Sequence, residues 1–162
     1  MKIRLLSIAL LGLFFIYPSA QTFGSEFQLS NVTILGPWAR SSFSLAKSTA
    51  AYMSIKNKSS QIEQLIAIES PIAKRVELHQ AISKDGVMKM SKLDILDIPA
   101  KSIIKLKPGG RHVMFFGLIN PLEEGSQFPL TLEFSRAGKV KIMVKVLKSR
   151  ILNNEKRNHH KH

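Results

Sequence analysis

Cysteine is absent from the 162 residues of this chain. Its absence excludes disulfide bonds, thiolate metal ligands, thiol redox chemistry and lipid attachment through cysteine. Stability must therefore come from packing and hydrogen bonding. A site for a soft metal ion would have to be built from groups other than sulfur anions, such as imidazole and thioether side chains.

Acidic residues are scarce as well: 11 Asp and Glu stand against 24 Lys and Arg, for a formal net charge of +13. Such a charge favours an anionic partner, which could be a membrane surface, an acidic protein or nucleic acid, and a basic domain with no such partner is the alternative. The sequence contains no Gly-x-Ser-x-Gly nucleophile motif and no recognisable pair of catalytic carboxylates. We therefore do not expect an enzyme.

Residues 1–20 have the layout of a secretory signal. Lys2 and Arg4 precede 13 uncharged residues, Leu5 to Tyr17, and small residues follow at Ser19-Ala20. The apolar run is short for a bilayer span. We expect cleavage between residues 20 and 25 and a periplasmic protein, with an uncleaved membrane anchor as the alternative. An exported chain is not expected to bind nucleic acid.

Residues 26–150 are predicted to form one all-β domain. Apolar and polar residues alternate in many short segments, which is typical of half-buried strands. In KVKIMVKVLK, for example, Val140, Ile142, Val144 and Val146 are expected on one face, with Lys141, Met143 and Lys145 on the other. Turn sequences such as Asp85-Gly86 separate the runs. This spacing predicts an antiparallel sandwich or barrel. The other predicted strands are FQLSNVTI, AAYMSIKN, QLIAIES, RVELHQ, SIIKLK, RHVMFF and PLTLEFS.

The last residues, 151–162, are polar and basic, and they are predicted to be a mobile tail. The tail ends with His159, His160 and His162. These imidazoles could bind a metal weakly, but a solvated tail is the simpler interpretation.

Two short stretches combine histidine and methionine. If Asp85-Gly86 is a two-residue turn, Ala81 faces Met90 and His79 faces Lys92, so that His79 lies diagonal to Met90. Met88 would share that face. His112 and Met114 are two residues apart and would share a strand face as well. Together these stretches offer two imidazoles and two thioethers.

Such a neutral donor set is selective for Cu(I), since thioether sulfur is soft and hard cations avoid it. Zinc would be expected to use carboxylate or thiolate ligands beside histidine. The alternative for each residue is ordinary packing, because methionines commonly fill gaps in cores and Phe115 and Phe116 follow Met114 directly.

The spacing His79-x10-Met90-x21-His112-x-Met114 resembles the periplasmic copper chaperones of the PCuAC family. Segments that are similar to this family occur in the same order over residues 28–147: GPWAR, AAYMSIKN, SPIAKRVELH, DGVMKM and KPGGRHVMFFGL. The resemblance implies a cupredoxin-like Greek-key β-barrel. It also implies one Cu(I) per chain, bound at an exposed site by His79, Met90, His112 and Met114.

The resemblance further implies a metallochaperone that delivers copper toward the copper centre of cytochrome c oxidase. Its partners would be the copper subunit of that oxidase or a thiol-bearing copper chaperone. The basic tail with terminal histidines departs from the commoner members of the family. The alternative function is a basic exported β-sandwich that docks on anionic envelope components without a metal, with histidine and methionine serving in packing.

Overall fold

The computed structural model describes residues 25–42, 45–84 and 87–148, which form eleven strands and no helix. The expected leader, the Asp85-Gly86 turn and the tail from residue 151 lie outside the described residues. No segment within the described ranges is a helix that could cross a bilayer. The strands are β1 Glu26–Leu29, β2 Val32–Arg40, β3 Ser48–Asn57, β4 Glu63–Glu69, β5 Ala73–Lys84, β6 Val87–Leu93, β7 Leu96–Ile98, β8 Ile103–Leu106, β9 Arg111–Leu118, β10 Gln127–Phe134 and β11 Gly138–Leu147.

All eleven strands belong to one sheet that curls into a nearly closed barrel. The strand order is β6-β5-β9-β3-β2-β11-β10-β4-β7, with β1 paired to β2 and β8 paired to β3. Every pair is antiparallel except β11 and β2, which run parallel from Lys145 beside Trp38 to Leu147 beside Arg40. The predicted cupredoxin-like all-β fold is confirmed. The parallel pair departs from the entirely antiparallel barrel that was expected.

The core lies inside the barrel and consists of the alternate residues of each strand. Strand β11 follows its predicted pattern, with Ile142, Val144 and Val146 fully buried and Lys141, Met143 and Lys145 facing outward. Burying one such aliphatic side chain contributes about 1.5–3 kcal/mol. The fully buried side chains of the core include Ile34, Ile55, Leu65, Ile98, Val113, Phe115, Leu130, Leu132 and Phe134.

One strand prediction was wrong at the amino end of the domain. The segment FQLSNVTI was expected to be one strand, but it is a hairpin in which Leu29 pairs with Val32. Ser30 forms the bend with a φ of +51°. Ser30-Asn31 consists of residues that favour turns, but the alternating pattern of the whole segment was given more weight, and residues other than glycine rarely adopt this φ.

A bulge in β2 shapes the sheet beside the site described below. The register between β2 and β3 shifts between Leu35 and Trp38. Gly36 has a φ of +55° within the shift, and its N–H donates to the carbonyl of Ser25. A glycine suits this bulge because it has no Cβ to oppose a left-handed backbone.

Candidate metal-binding site

The predicted site residues lie on three neighbouring strands, β6, β5 and β9. The register of the β5–β6 hairpin is the predicted one, with His79 beside Lys92 and Ala81 beside Met90. On the other side of β5, His79 pairs with His112, and Glu77 pairs with Met114. Directly paired residues point to the same side of a sheet. The next residues along these strands, Leu78 on β5 and Val113 on β9, point into the core. The four predicted ligands therefore lie on the opposite, outer face.

The two imidazoles form the centre of this arrangement. The ring centroids of His79 and His112 are 6.1 Å apart, with the ring planes inclined by 43°. The side chain of His79 is 14% exposed, and His112 is buried. The rings are therefore close enough to share one ion and are largely shielded from water.

The hydrogen bond of His112 leaves one ring nitrogen free. Its Nδ1 lies 2.9 Å from the carbonyl oxygen of Gly110, which can only accept a hydrogen bond. Nδ1 must therefore carry the proton, and in the neutral ring the lone pair is on Nε2. Backbone carbonyls commonly hold metal-binding histidines in this way.

His79 has the opposite arrangement. Its Nε2 lies 2.7 Å from Oε2 of Glu77, whereas its Nδ1 is buried and has no hydrogen-bond partner in the part of the chain that the structure describes. A buried polar atom without a partner is unusual, because its desolvation is not compensated. A bound cation would satisfy this nitrogen, so His79 fits a metal ligand better than a packing residue.

Met114 and Met90 lie on opposite sides of the histidine pair. Met114 is half-buried beside His112, with the small Ala50 next to it on β3. Met90 is 65% exposed and lies on β6, where it pairs with Ala81, two residues after His79 on β5. On a flat sheet the Cα atoms of Met90 and Met114 would be about 16 Å apart. Met90 can therefore share an ion with Met114 only if the outer part of the β5–β6 hairpin bends over the sheet.

The described residues thus bring three of the four predicted ligands into a compact group, His79, His112 and Met114. Met90 shares their face but stands apart from them. Within the described ranges there is no cluster of three or more His, Cys, Asp or Glu. Met114, on the same face of β9 as His112, is the further potential ligand beside the two imidazoles.

Aromatic side chains continue the row of imidazoles across the sheet. Tyr52 lies 6.4 Å from His112 between ring centroids, and Trp38 lies 4.5 Å from Tyr52. The guanidinium carbon of Arg40 is 5.4 Å from the centre of the Tyr52 ring. Burial raises the pKa of Tyr52, and the nearby charge of Arg40 opposes that rise. The Tyr52 phenol is therefore neutral where it lies beside His112.

Sequence reasoning missed the residues that support the ligands, chiefly Glu77, Arg75 and Phe116. The signal for Glu77 was present, because a residue two positions before His79 shares its strand face. The position of Phe116, whose ring centroid is 5.6 Å from that of His79, requires the register between β5 and β9. No short-range pattern fixes that register.

Comparisons with known proteins agree with this fold. The sequence model of the LpqE-like family, described as "Putative lipoprotein LpqE-like", matches residues 32–146. A protein of Leifsonia xyli subsp. xyli (strain CTCB07) named "Putative lipoprotein Lxx21020" is 36% identical over 118 residues. The match covers 72% of this chain and 69% of that protein.

Two solved structures share the architecture. The copper-bound PCuAC domain from PmoF2 superposes with a TM-score of 0.68 at 24% identity, over 77% of this chain and 99% of that one. The solution structure of CuI-DR1885 from Deinococcus radiodurans has a TM-score of 0.61 at 27% identity, over 82% of this chain and 85% of that one. The similarity to PCuAC proteins inferred from the sequence is confirmed in the fold.

Proposed function

The chain belongs to the LpqE-like family and has the fold of PCuAC domains, and from these facts and the site geometry we propose that it is an exported Cu(I) metallochaperone. One observation carries the proposal: two imidazoles are neighbours across β5 and β9, and each has one ring nitrogen without a hydrogen bond to any of the described residues. The fold of copper-binding relatives supports it.

The proposed cargo is one Cu(I) ion, held by His79, His112, Met114 and Met90. Two imidazoles and a thioether are a neutral set that suits a soft monovalent cation. Met90 joins when the hairpin bends inward. Because this ligand is exposed and reaches the ion last, it is also the first that an acceptor can displace.

The proposed role is transfer rather than catalysis. An acceptor with thiolate or imidazole ligands replaces the donors one at a time, and the difference in affinity sets the direction. The acceptors we propose are a thiol-bearing copper chaperone and, through it or directly, the copper subunit of cytochrome c oxidase. Export by the leader at residues 1–20 would place the protein in the periplasm with these partners.

Cu(I) loading of the reduced protein tests the proposal. We expect one ion per chain in the wild type and in a variant that lacks residues 151–162, since the tail histidines are not needed. His112→Ala and Met114→Leu should lose stoichiometric binding, and Met90→Leu should lose copper faster to a Cu(I) chelator.

Met143→Leu is the matched control for the methionine variants. Met143 lies on the outer face of β11, is 40% exposed and is separated from β9 by β2 and β3. It should bind copper as the wild type does. Unchanged binding by both His112→Ala and Met90→Leu would refute the ligand assignment. Absence of binding by the wild type would favour the metal-free docking module.

A further inference from the structure

Glu77 is an acidic side chain in contact with His79, and both of its carboxylate oxygens are engaged. Oε2 lies 2.7 Å from Nε2 of His79, and Oε1 lies 3.0 Å from Nε of Arg75. The Glu77 side chain is only 16% exposed. The carboxylate is thus fixed at both ends.

An ionised carboxylate can only accept hydrogen bonds. The short contact with Glu77 therefore requires that Nε2 of His79 carry a proton. In the neutral ring this leaves the lone pair on Nδ1, the buried nitrogen that no described residue hydrogen-bonds. Glu77 consequently decides which nitrogen of His79 is available to a metal ion.

Arg75, which pairs with Glu77, is itself held by a contact with the neighbouring strand β9. Arg75 pairs with Phe116 across β5 and β9, and its guanidinium carbon lies 4.7 Å from the centre of the Phe116 ring. That ring in turn packs against His79 at 5.6 Å. Arg75, Glu77, His79 and Phe116 thus form a closed circuit of contacts, which fixes the rotation of the imidazole as well as its tautomer.

We propose that Glu77, held by Arg75, is the positioning residue that presents Nδ1 of His79 to Cu(I), while His112 uses Nε2. The two histidines would then bind one ion through different ring nitrogens. This assignment rests on the proposed function for its metal, but the tautomers belong to the metal-free protein. Carboxylates that hold metal-bound histidines typically change metal affinity by about 10- to 100-fold.

Long-range ¹H–¹⁵N correlation spectra of the metal-free protein give the test. At a pH where both rings are neutral, the wild type should show a protonated Nε2 for His79 and a protonated Nδ1 for His112. In Glu77→Ala the spectrum of His79 should move toward a mixture of tautomers, and the affinity for Cu(I), measured by competition with a chelator, should fall by about 10- to 100-fold.

Two further variants separate positioning from folding. Glu77→Gln keeps an oxygen that can accept from Nε2, so it should keep the tautomer of His79 and lose less affinity than Glu77→Ala. Glu133→Ala removes a glutamate that is paired with Lys139 on β10 and β11, far from the ligands, and should change neither measurement. Preserved amide spectra would show that each variant is folded.

The outcomes distinguish this inference from the proposed function. An unchanged His79 tautomer in Glu77→Ala, or a wild-type His79 protonated at Nδ1, would overturn the role of Glu77 even if the wild type binds one Cu(I). A changed tautomer together with a wild type that binds no copper would uphold the positioning of His79 and refute the copper function alone.

Discussion

At the scale of single residues, Glu63 shows how hydrogen bonds can keep a buried carboxylate ionised. Glu63 is a buried carboxylate at the start of β4. It accepts hydrogen bonds from the N–H groups of Gln64, Arg136 and Ala137 and from the hydroxyl of Ser135, all between 2.9 and 3.0 Å. It thereby provides acceptors for the hydrogen-bond donors of the turn between β10 and β11. Burial by itself would raise the pKa of Glu63, but these hydrogen bonds outweigh burial and lower it.

We therefore predict that Glu63 contributes stability that acid removes. Because its pKa is lower in the folded state, the contribution is complete above the ordinary value of 4.5 and disappears as the pH falls below it. Glu63→Gln puts an NH₂ group against backbone donors and should cost about 2 kcal/mol of unfolding free energy at neutral pH.

Urea unfolding at a series of pH values checks this prediction. The difference between wild type and Glu63→Gln should narrow as the pH drops below 4.5. Glu26→Gln, on the exposed edge of β1, should stay within about 0.5 kcal/mol of wild type at neutral pH. If the difference in unfolding free energy between wild type and Glu63→Gln is constant with pH, or widens in acid, the predicted role of Glu63 is contradicted.

At the scale of elements, the buried side-chain amide of Asn57 connects β3 with β7, two strands that are not paired in the sheet. Asn57 ends β3, and its Nδ2 lies within hydrogen-bond distance of the carbonyls of Gln61, Ile98 and Pro99, at 2.7, 3.0 and 3.2 Å. Its Oδ1 accepts from the N–H and hydroxyl of Ser59. One side chain thus ties β3 to its following loop and to the end of β7.

Asn57→Ala should lower the unfolding free energy by about 3 kcal/mol, because it removes a buried hydrogen bond to the carbonyl of Ile98 and several part-buried ones. Denaturant unfolding followed by circular dichroism measures the loss. Asn31→Ala is the control: its side chain is exposed on the β1–β2 turn, and we expect a change below about 0.5 kcal/mol. Equal losses in the two variants would show that the contacts of Asn57 are not the cause.

The elements also show how far the sequence predicts the structure. Alternation identified β11, and Asp85-Gly86 gave the register of the β5–β6 hairpin, because both signals are local. The parallel pairing of β11 with β2 and the pairing of His79 with His112 join distant parts of the chain. Such pairings depend on the closure of the whole sheet, which periodicity does not encode.

At the scale of the whole molecule, basic side chains accompany the histidines on the outer surface of the sheet. The outer face that carries the histidines also carries Arg40, Arg75, Lys92, Lys105, Lys141 and Lys145. Two of these basic residues are paired with carboxylates, Arg75 with Glu77 and Lys92 with Asp94. This basic surface would speed the approach of an acidic acceptor or of an anionic membrane, and salt would weaken the effect.

The central claim, that His79 and His112 with methionine sulfur hold a single Cu(I), is tested most directly by X-ray absorption at the copper edge. The sample should be the copper-loaded protein without residues 151–162, so that the tail histidines cannot contribute. We predict a Cu(I) edge with both nitrogen and sulfur neighbours, and a loss of sulfur scattering in the double variant Met90→Leu, Met114→Leu. Copper surrounded only by nitrogen and oxygen in the protein with both methionines intact would contradict the account.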